Sequence, residues 1–378
     1  MTGWRATSAS KQFDVAVIGG GPAGTATAIG LSRAGRSVTV LEQSHYDRVR
    51  IGEILPPAAR LPLIELGVWD RFIAEGHAPS PGILSAWGQD EPYDNHFIFN
   101  PYGHGWHLDR RRFDAMLALV AEEAGVSVYR GARVTSHLPV ASRGWHVEFA
   151  LNGERNHLQA TFLVYATGRA CLLARWQQAK RIFYDRLVGL VGFFSARSVG
   201  RKRNYQTLIE AAENGWWYSA WLPASRLVVA YMTDADLLPK GGVPVSEYWQ
   251  SRLEQAPHTR FRTHGCVSEA VLRSVAANSH RMDRVTGNNW LAAGDAALAF
   301  DPLSSQGIHR ALNSGLLAAR AIENCLLGSQ TALEEYARRT QRSFDKYLSM
   351  RTIIYSQEQR WSSSAFWQRR QNAPDYAL

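Results

Sequence analysis

Cysteine is scarce: Cys171, Cys266 and Cys325 are the only ones in 378 residues. Odd in number and far apart, they exclude a disulfide scaffold and a CxxC-type zinc site, so no metal is expected. They fit a reducing compartment, and a cytoplasmic location is expected. Lysine is also scarce, at Lys11, Lys180, Lys202, Lys240 and Lys346, although the net charge is +9. Arginine carries that charge, dispersed and without an RNA- or DNA-binding motif, which argues against a nucleic-acid partner. No apolar run approaches the roughly 18 residues of a membrane span. The first apolar run, Val15 to Ile18, is broken by glycine too soon for a signal peptide. Charged residues are only 20% and apolar residues 46%. That excludes an intrinsically disordered chain and allows a sizeable core. Internal repeats and low-complexity tracts are absent, and the polar stretch Met1 to Gln12 is expected to be an unstructured leader. What the chain has in quantity is tryptophan, 13 in all.

The hydrophobic pattern predicts a buried strand over Phe13 to Ile18, a helix over Thr25 to Arg33 and a second strand over Ser37 to Leu41. Helices are expected over Arg111 to Ala124, where Phe113, Met116, Leu117 and Val120 share a face, and over Val245 to Glu254, Ile308 to Leu327 and Leu333 to Trp361. Strands are expected through Val126 to Leu138, Trp145 to Ala150, Gln159 to Ala166, most of Leu187 to Asp234, and Trp290 to Ala293. Strand and helix elements therefore come in three blocks, with a β-rich block, roughly Arg181 to Arg281, between the last two. A domain interrupted by another explains that order better than two beads on a string.

Gly19-x-Gly21-x-x-Gly24 follows the first strand and opens the first helix. Glycines so placed allow a tight turn and close backbone approach to a pyrophosphate, whose charge sits at the helix N-terminus. Glu42 ends the second strand, 18 residues after Gly24. A carboxylate there accepts hydrogen bonds from a ribose and repels a 2′-phosphate. Strand, loop, helix, strand and acid together point to dinucleotide binding, with NAD and FAD both still open. Further on come Ala293-Gly294-Asp295-Ala296-Ala297, after a short strand, and Asp301-Pro302-Leu303-Ser304-Ser305-Gln306-Gly307, opening a long helix.

These motifs carry a resemblance. The chain is similar to FAD monooxygenases of the p-hydroxybenzoate hydroxylase fold, especially their tryptophan-halogenase-like branch. Asp109-Arg110-Arg111-Arg112-Phe113-Asp114 resembles that group's DRxxFD segment, and Val164-Tyr165-Ala166-Thr167-Gly168-Arg169 its ATG strand end. The fold implied is α/β: a Rossmann-like FAD-binding domain of GR2 type over residues 13–76, 108–175 and 283–327. A β-rich substrate domain over 77–107 and 181–281 interrupts it, and a helical segment, 328–378, closes the chain. The resemblance implies FAD contacts from Gly19, Gly21, Ala23, Gly24, Glu42, Gln43, Arg50, Arg110, Val134 and Gly168. It adds Gly294, Asp295, Pro302, Ser305, Gln306, Gly307 and Ile308 at the far end. Asp295 would bind the ribityl chain, and the N–H groups around Gln306 and Gly307 would face the flavin edge that gains charge on reduction.

Departures from the pattern narrow the function. Thr167-Gly168 stands where many single-component hydroxylases carry Asp-Gly, leaving the electron donor open between a separate flavin reductase and NAD(P)H. The segment Pro79 to Trp87 has no halogenase lysine, and Ser304 replaces the halogenase glutamate. A hypohalous acid needs an ammonium to aim it. Gly52-Glu53, Gly215-Trp216-Trp217-Tyr218, Gly294-Asp295-Ala296-Ala297 and the tail Arg360-Trp361 to Phe366-Trp367-Gln368-Arg369-Arg370 resemble flavoprotein maturases, which hydroxylate a Trp or Tyr of a partner protein on the way to a quinone cofactor. The implied chemistry is aromatic hydroxylation through a flavin C4a-hydroperoxide, and an Arg-rich rim would suit an acidic partner. The alternatives are a small-molecule halogenase or reductase, and a non-catalytic flavin-binding docking protein.

Candidate catalytic residues are Glu53, His107, Trp217 and Trp221. Each has a structural alternative: Glu53 as a helix cap, His107 as a satisfied core histidine. The aromatics of Trp216-Trp217-Tyr218-Ser219-Ala220-Trp221 alternate between two faces of a strand. The tail Trp361 to Arg370 is read either as a partner-docking patch or as a helix covering the FAD domain.

Overall fold

The computed structural model describes residues 11–371 apart from 141–143, 171, 198–202, 240, 242 and 270. Residues 1–10 of the expected leader and Cys171 lie outside the described residues. Lys11 and Gln12 belong to the first strand instead, paired with Leu158 and Gln159. The Lys11 ammonium donates to Tyr129 at 2.9 Å.

One sheet carries the nucleotide-binding elements. Its parallel order is Trp290–Ala292, Glu154–Tyr165, Lys11–Ile18, Val38–Glu42 and Ser127–Arg130. Val15 to Ile18, Val38 to Leu41 and Phe162 to Tyr165 are all buried. That is why these stretches read as continuous apolar runs: a parallel sheet is covered on both faces. An antiparallel meander, Arg133–Val140 and Gly144–Leu151, extends it from the Glu154–Tyr165 strand.

The glycine-loop helix Pro22–Arg33 packs on the long helix Gly307–Leu326. The two backbones nearly touch. A Cβ on Gly315 would sit 2.4 Å from the Ala23 carbonyl oxygen, and one on Gly30 would sit 2.8 Å from Ala319 Cβ. Thr27 Oγ1 donates across to the Gly315 carbonyl at 3.2 Å. Small residues in both helices permit this approach, and it draws two glycine-bearing loops nearly 300 residues apart to one end of the sheet.

A second sheet, mostly antiparallel, is built from Gly82–Ala86, Tyr93–His96, Leu187–Ala196, Thr207–Ala212, Gly215–Leu222 and Arg226–Asp234, with short strands Cys266–Ser268 and Arg273–Ala276. Ile54–Leu55, Ala78–Ser80 and Gly105–His107 form a small sheet. The helix Val245–Glu254 lies where the sequence predicts it. It covers one face of the second sheet: Trp249 packs on Trp217 with ring centroids 5.2 Å apart, and its indole donates to the Leu190 carbonyl at 3.0 Å.

The last helices differ from expectation. Ala332–Ser356 stops before Trp361, and a separate helix, Ala365–Gln371, follows. That short helix is no exposed patch. Phe366 and Trp367 are fully buried beside Trp87 and Tyr355, against the other face of the second sheet. A buried ion pair clamps it: Arg370 makes two contacts to Asp234, at 2.6 and 3.1 Å, and Arg369 adds a third at 2.9 Å. These guanidinium groups hold the Asp234 carboxyl below its ordinary range despite burial. Asp234→Asn strands Arg370 without its counter-charge. It is expected to destabilise the protein by about 3–5 kcal/mol, as for other broken buried pairs, with urea unfolding as the check. An unchanged urea midpoint would show that the clamp carries no stability.

Candidate active site

A cleft of about 960 Å³ opens where the two sheets meet. One wall begins at the glycine loop. Gly19 has φ +107°, and a Cβ there would lie 2.4 Å from the Ala166 carbonyl oxygen; a Cβ on Gly24 would lie 1.9 Å from the Gly19 oxygen. Gly19 and Gly24 thus serve the turn and the packing of helix on strand. Gly21 differs. Its φ of −75° is ordinary, and a Cβ would meet only Arg50 Nη1, at 3.9 Å. Space is kept clear there on the cleft side. Beside it the Pro22–Arg33 helix begins with Pro at N1 and no side-chain cap, so its N-terminal dipole faces the cleft unneutralised.

Charge is organised around Asp114. This fully buried carboxylate takes Arg110 on both oxygens, at 3.1 and 3.0 Å, and Arg50 at 3.0 Å. Arg50 reaches on to Glu42 at 2.9 Å. Glu42 Oε1 also accepts from Ser44, while Oε2 accepts the Gly20 N–H at 2.7 Å and keeps a second lone pair. Arg110 Nη1 donates to the Ile51 and Gly52 carbonyls at 3.2 and 3.0 Å, which pins the loop bearing Glu53. Asp109 caps the helix that follows, accepting from Arg111 N at 3.0 Å.

The far end is set by two turns. Gly294 adopts φ +62° and donates to Ser314 Oγ at 2.9 Å; Asp295, next along, lines the cleft and pairs with Arg169 at 3.4 Å. Asp301 accepts from Leu303 N at 2.9 Å and sits under Tyr347 and Tyr355. Ser305, at φ +51°, turns the chain into Gly307–Leu326, a helix that again has no side-chain cap. A Cβ on Gly307 would meet nothing within 4 Å. Two uncapped helix N-termini therefore border one cleft. Together with the clear spaces at Gly21 and Gly307, they fit a long dianionic dinucleotide whose far ring system gains negative charge on reduction.

Of the expected cofactor contacts, Gly19, Gly21, Ala23, Glu42, Gln43, Arg50, Arg110, Val134, Gly168, Asp295, Pro302, Ser305, Gly307 and Ile308 line this cleft. Gly24 and Gly294 stand behind the wall, where they allow close packing. Gln306 is exposed at the turn and outside the lining.

The catalytic candidates divide. Glu53 lines the cleft, only 2% exposed. Its Oε2 accepts the Gly52 N–H at 3.1 Å, and Oε1 has no partner. Burial pushes its pKa up to about 7, against the pull of Gly52 N–H and Arg110. His107 is a structural residue: Nδ1 donates to the Trp221 carbonyl at 2.8 Å and Nε2 accepts from Thr207 at 2.9 Å, entirely within the core. Burial pushes its pKa down to about 4. Trp217 and Trp221 face away from the cleft, into the core under Trp249 and Leu253. Their even-numbered neighbours Trp216 and Tyr218 line the cleft instead, with Ile209, Val228, Ala230 and Met232 of the adjacent strands. Alternation predicts two faces but does not say which one a helix will cover. The Tyr218 hydroxyl, like Glu53 Oε1, is buried without a partner, and burial raises its pKa well above the usual value. Among the described residues no group of three or more His, Cys, Asp or Glu could hold a metal ion, and no helix is long and apolar enough to cross a membrane.

The profile of the FAD binding domain family matches residues 12–349. The chain belongs to that family. It is an FAD-dependent oxidoreductase, and its α/β fold is that of the halogenase-like FAD enzymes. It is 30% identical to a Marinomonas mediterranea protein named as an FAD-dependent oxidoreductase, LodB, over 95% of this chain and 97% of that one. It is 27% identical to a tryptophan 2-halogenase of Chondromyces crocatus, over 95% of this chain and 70% of that one. Among solved structures, the myxobacterial chondrochloren halogenase CndH superposes with a TM-score of 0.87 at 27% identity, covering 97% of this chain and 87% of that one. The peptidyl tryptophan dihydroxylase QhpG, essential for tryptophylquinone cofactor biogenesis, superposes with a TM-score of 0.82 at 27% identity, covering 97% and 80%.

Two substitutions test the cleft assignment. Gly21→Val is expected to fold normally, since its backbone is unstrained and its side chain meets open space, yet to purify without bound flavin. A yellow protein at full occupancy would refute the assignment. Asp295→Ala is expected to weaken FAD binding at unchanged melting temperature of the apoprotein, read by flavin fluorescence titration; unchanged affinity would refute its role.

Proposed function

We propose that the protein is an FAD-dependent monooxygenase that hydroxylates an electron-rich aromatic ring, in a Trp or Tyr side chain of a partner protein during quinone-cofactor biogenesis. The carrying observation is the composition of the cleft. The dinucleotide loops form one wall, the Trp216 and Tyr218 sheet face forms the other, and no lysine lies among the described lining residues. Its basic lining groups are all guanidinium: Arg50, Arg110, Arg133, Arg169 and Arg273. Arginine holds anions firmly but does not offer the ammonium that halogenation requires. The likeness to a peptidyl tryptophan dihydroxylase supports the hydroxylation reading, and a net charge of +9 suits an acidic partner. Two-electron reduction and activation of O2 are what bound FAD would supply, with electrons from a separate flavin reductase.

The chain's own groups do the rest. Helix N-termini at Pro22 and Gly307 hold negative charge. The apolar faces of Ile209, Val228, Ala230 and Met232 exclude water from the reacting ring. Burial brings the Glu53 carboxyl near neutrality, so its Oε1 is suited to take the proton that the aromatic ring gives up as it is hydroxylated. Arg110 keeps that carboxyl in place through the Gly52 carbonyl.

The direct experiment mixes the reduced, FAD-loaded protein with O2 in the presence of a Trp- or Tyr-bearing partner, then measures 18O incorporation into that side chain. A halogenated product formed with halide and no oxygen transfer would overturn the proposal. Glu53→Gln separates catalysis from stability. Because the fold disfavours the ionised carboxyl, Glu53 costs stability as pH rises from about 4.5 to about 7. Glu53→Gln is therefore expected to raise the melting temperature at pH 8, by about 1–3 kcal/mol of stability, with no gain at pH 4. Turnover is expected to fall and to lose its pH dependence near 7. Retention of both would exclude Glu53 as the proton carrier.

A further inference from the structure

Tryptophan is concentrated behind the cleft. Trp216 lines it, and from there aromatic rings run to the surface. Ring centroids are 6.4 Å apart from Trp216 to Trp87, 5.2 Å from Trp87 to Trp367, and 6.1 Å from Trp367 to Trp361. Tyr355 forms a parallel link, 5.6 Å from Trp87 and 5.8 Å from Trp367. Every ring but the last is buried; Trp361 is partly exposed, stacked on Trp367 at 20°. A proton path accompanies the rings. Trp216 Nε1 donates to Tyr355 Oη at 3.0 Å, and Tyr355 Oη donates to Asp301 Oδ2 at 2.7 Å.

Packing alone does not require this choice of residues. Phe366 sits fully buried in the same cluster, so phenylalanine fits there. Indole and phenol differ from phenylalanine in being the side-chain rings that most readily give up an electron. Electron transfer falls off exponentially with distance, and rings nearly in contact pass a vacancy on quickly.

We propose that Trp216, Tyr355, Trp87, Trp367 and Trp361 form an escape route that carries oxidising equivalents from the cleft to solvent when O2 reacts there without substrate. This rests on the reading of the cleft as an oxygen-activating flavin site. The oxidant is a one-electron oxidant of the reactive-oxygen class, such as hydroxyl radical, which takes one electron and one proton from its surroundings to become water. The electron leaves Trp216, and the vacancy moves to Tyr355 or Trp87, then to Trp367 and Trp361. When Tyr355 carries it, the Oη proton shifts to Asp301 Oδ2 and returns on re-reduction; no bond between heavy atoms forms or breaks. At Trp361 a soluble thiol or ascorbate gives up one electron and one proton and closes the cycle.

The surroundings suit a transient positive charge. Arg351 and Arg370 lie 5.6 and 5.3 Å from the Tyr355 ring, yet each is neutralised: Arg351 by Asp185 at 3.1 Å, Arg370 by Asp234. Burial raises the pKa of Asp301 despite nearby Arg351, which makes it a readier proton acceptor. At the outer end Arg360 stacks over Trp361 at 4.5 Å, held by two carboxylates, Glu358 and Asp90.

The test cycles the FAD-loaded protein in air with NADH and a flavin reductase, without aromatic substrate. Catalase and superoxide dismutase remove oxidants from bulk solvent. Oxygenated Trp and Tyr residues are then located by peptide mass mapping. In the unmodified protein the marks should concentrate at Trp361 and fall when ascorbate is added. In Trp361→Phe and Trp367→Phe they should rise several-fold at Trp216 and Tyr355, and ascorbate should no longer protect. Trp361→Phe leaves the buried rings untouched, so it stands alone if Trp367→Phe fails to fold. Equal marking of Trp216 and Tyr355 in all three proteins, or no marking of any of them, would overturn the route while the visible flavin spectrum left the cofactor reading intact. A colourless starting protein would overturn both.

Discussion

One buried carboxylate ties the nucleotide site together. Asp114 holds Arg50 and Arg110 at once, and through them it fixes the acid that ends the second strand and the loop that presents Glu53. Removing one partner of such a cluster leaves uncompensated charge in the interior, at a cost of about 3–5 kcal/mol. The DRxxFD pattern is thus less a cofactor contact than a junction. Its first Asp caps the helix, its Arg restrains a neighbouring loop, and its last Asp supplies the charge both arginines need. Local order at the adenosine end and at the proton-handling end depends on the same residue.

The rest of the cleft is electrostatically asymmetric. Two helices bring positive ends to it, and five lining arginines add to them. The sheet opposite contributes mostly apolar side chains with the unpartnered Tyr218 Oη, and the loop before Ile54–Leu55 adds the unpartnered Glu53 Oε1. Anionic groups therefore have a clear place along the helix side. A flat ring fits the sheet side, among Trp216, Tyr218 and the apolar side chains of the neighbouring strands.

The glycine loop and its flanking strands were legible in the sequence because backbone geometry demands particular residues: Gly19 at φ +107°, Gly24 beneath the Gly19 carbonyl. The far-end turns were legible through the family resemblance. Helix Val245–Glu254 was legible from its period. What it covers was not, and that decided the fate of Trp217 and Trp221. A strand with aromatics on both sides has two equivalent faces until a partner distant in sequence takes one. His107 shows the same limit. A histidine beside a cofactor motif reads as chemistry, while two hydrogen bonds to residues about 100 positions away make it part of the core. The tail was undecided for a similar reason. Its aromatic and basic pattern suits docking or burial equally, and only the presence of Asp234 on a distant strand distinguishes them.

The near-contact between Pro22–Arg33 and Gly307–Leu326 has a consequence for how the protein is made. The glycine loop appears early in synthesis, but the helix that closes the other half of the cleft, and the turn at Asp301 to Gly307, emerge only after most of the chain. A nascent chain holds the fingerprint motif before the far-end turn and helix that complete the cleft have been translated. Flavin capture is a late event that rewards completed long-range pairing, and bound cofactor then stabilises only the fully assembled state. A redox-active group is thereby kept off the chain until the surrounding protein can shield it.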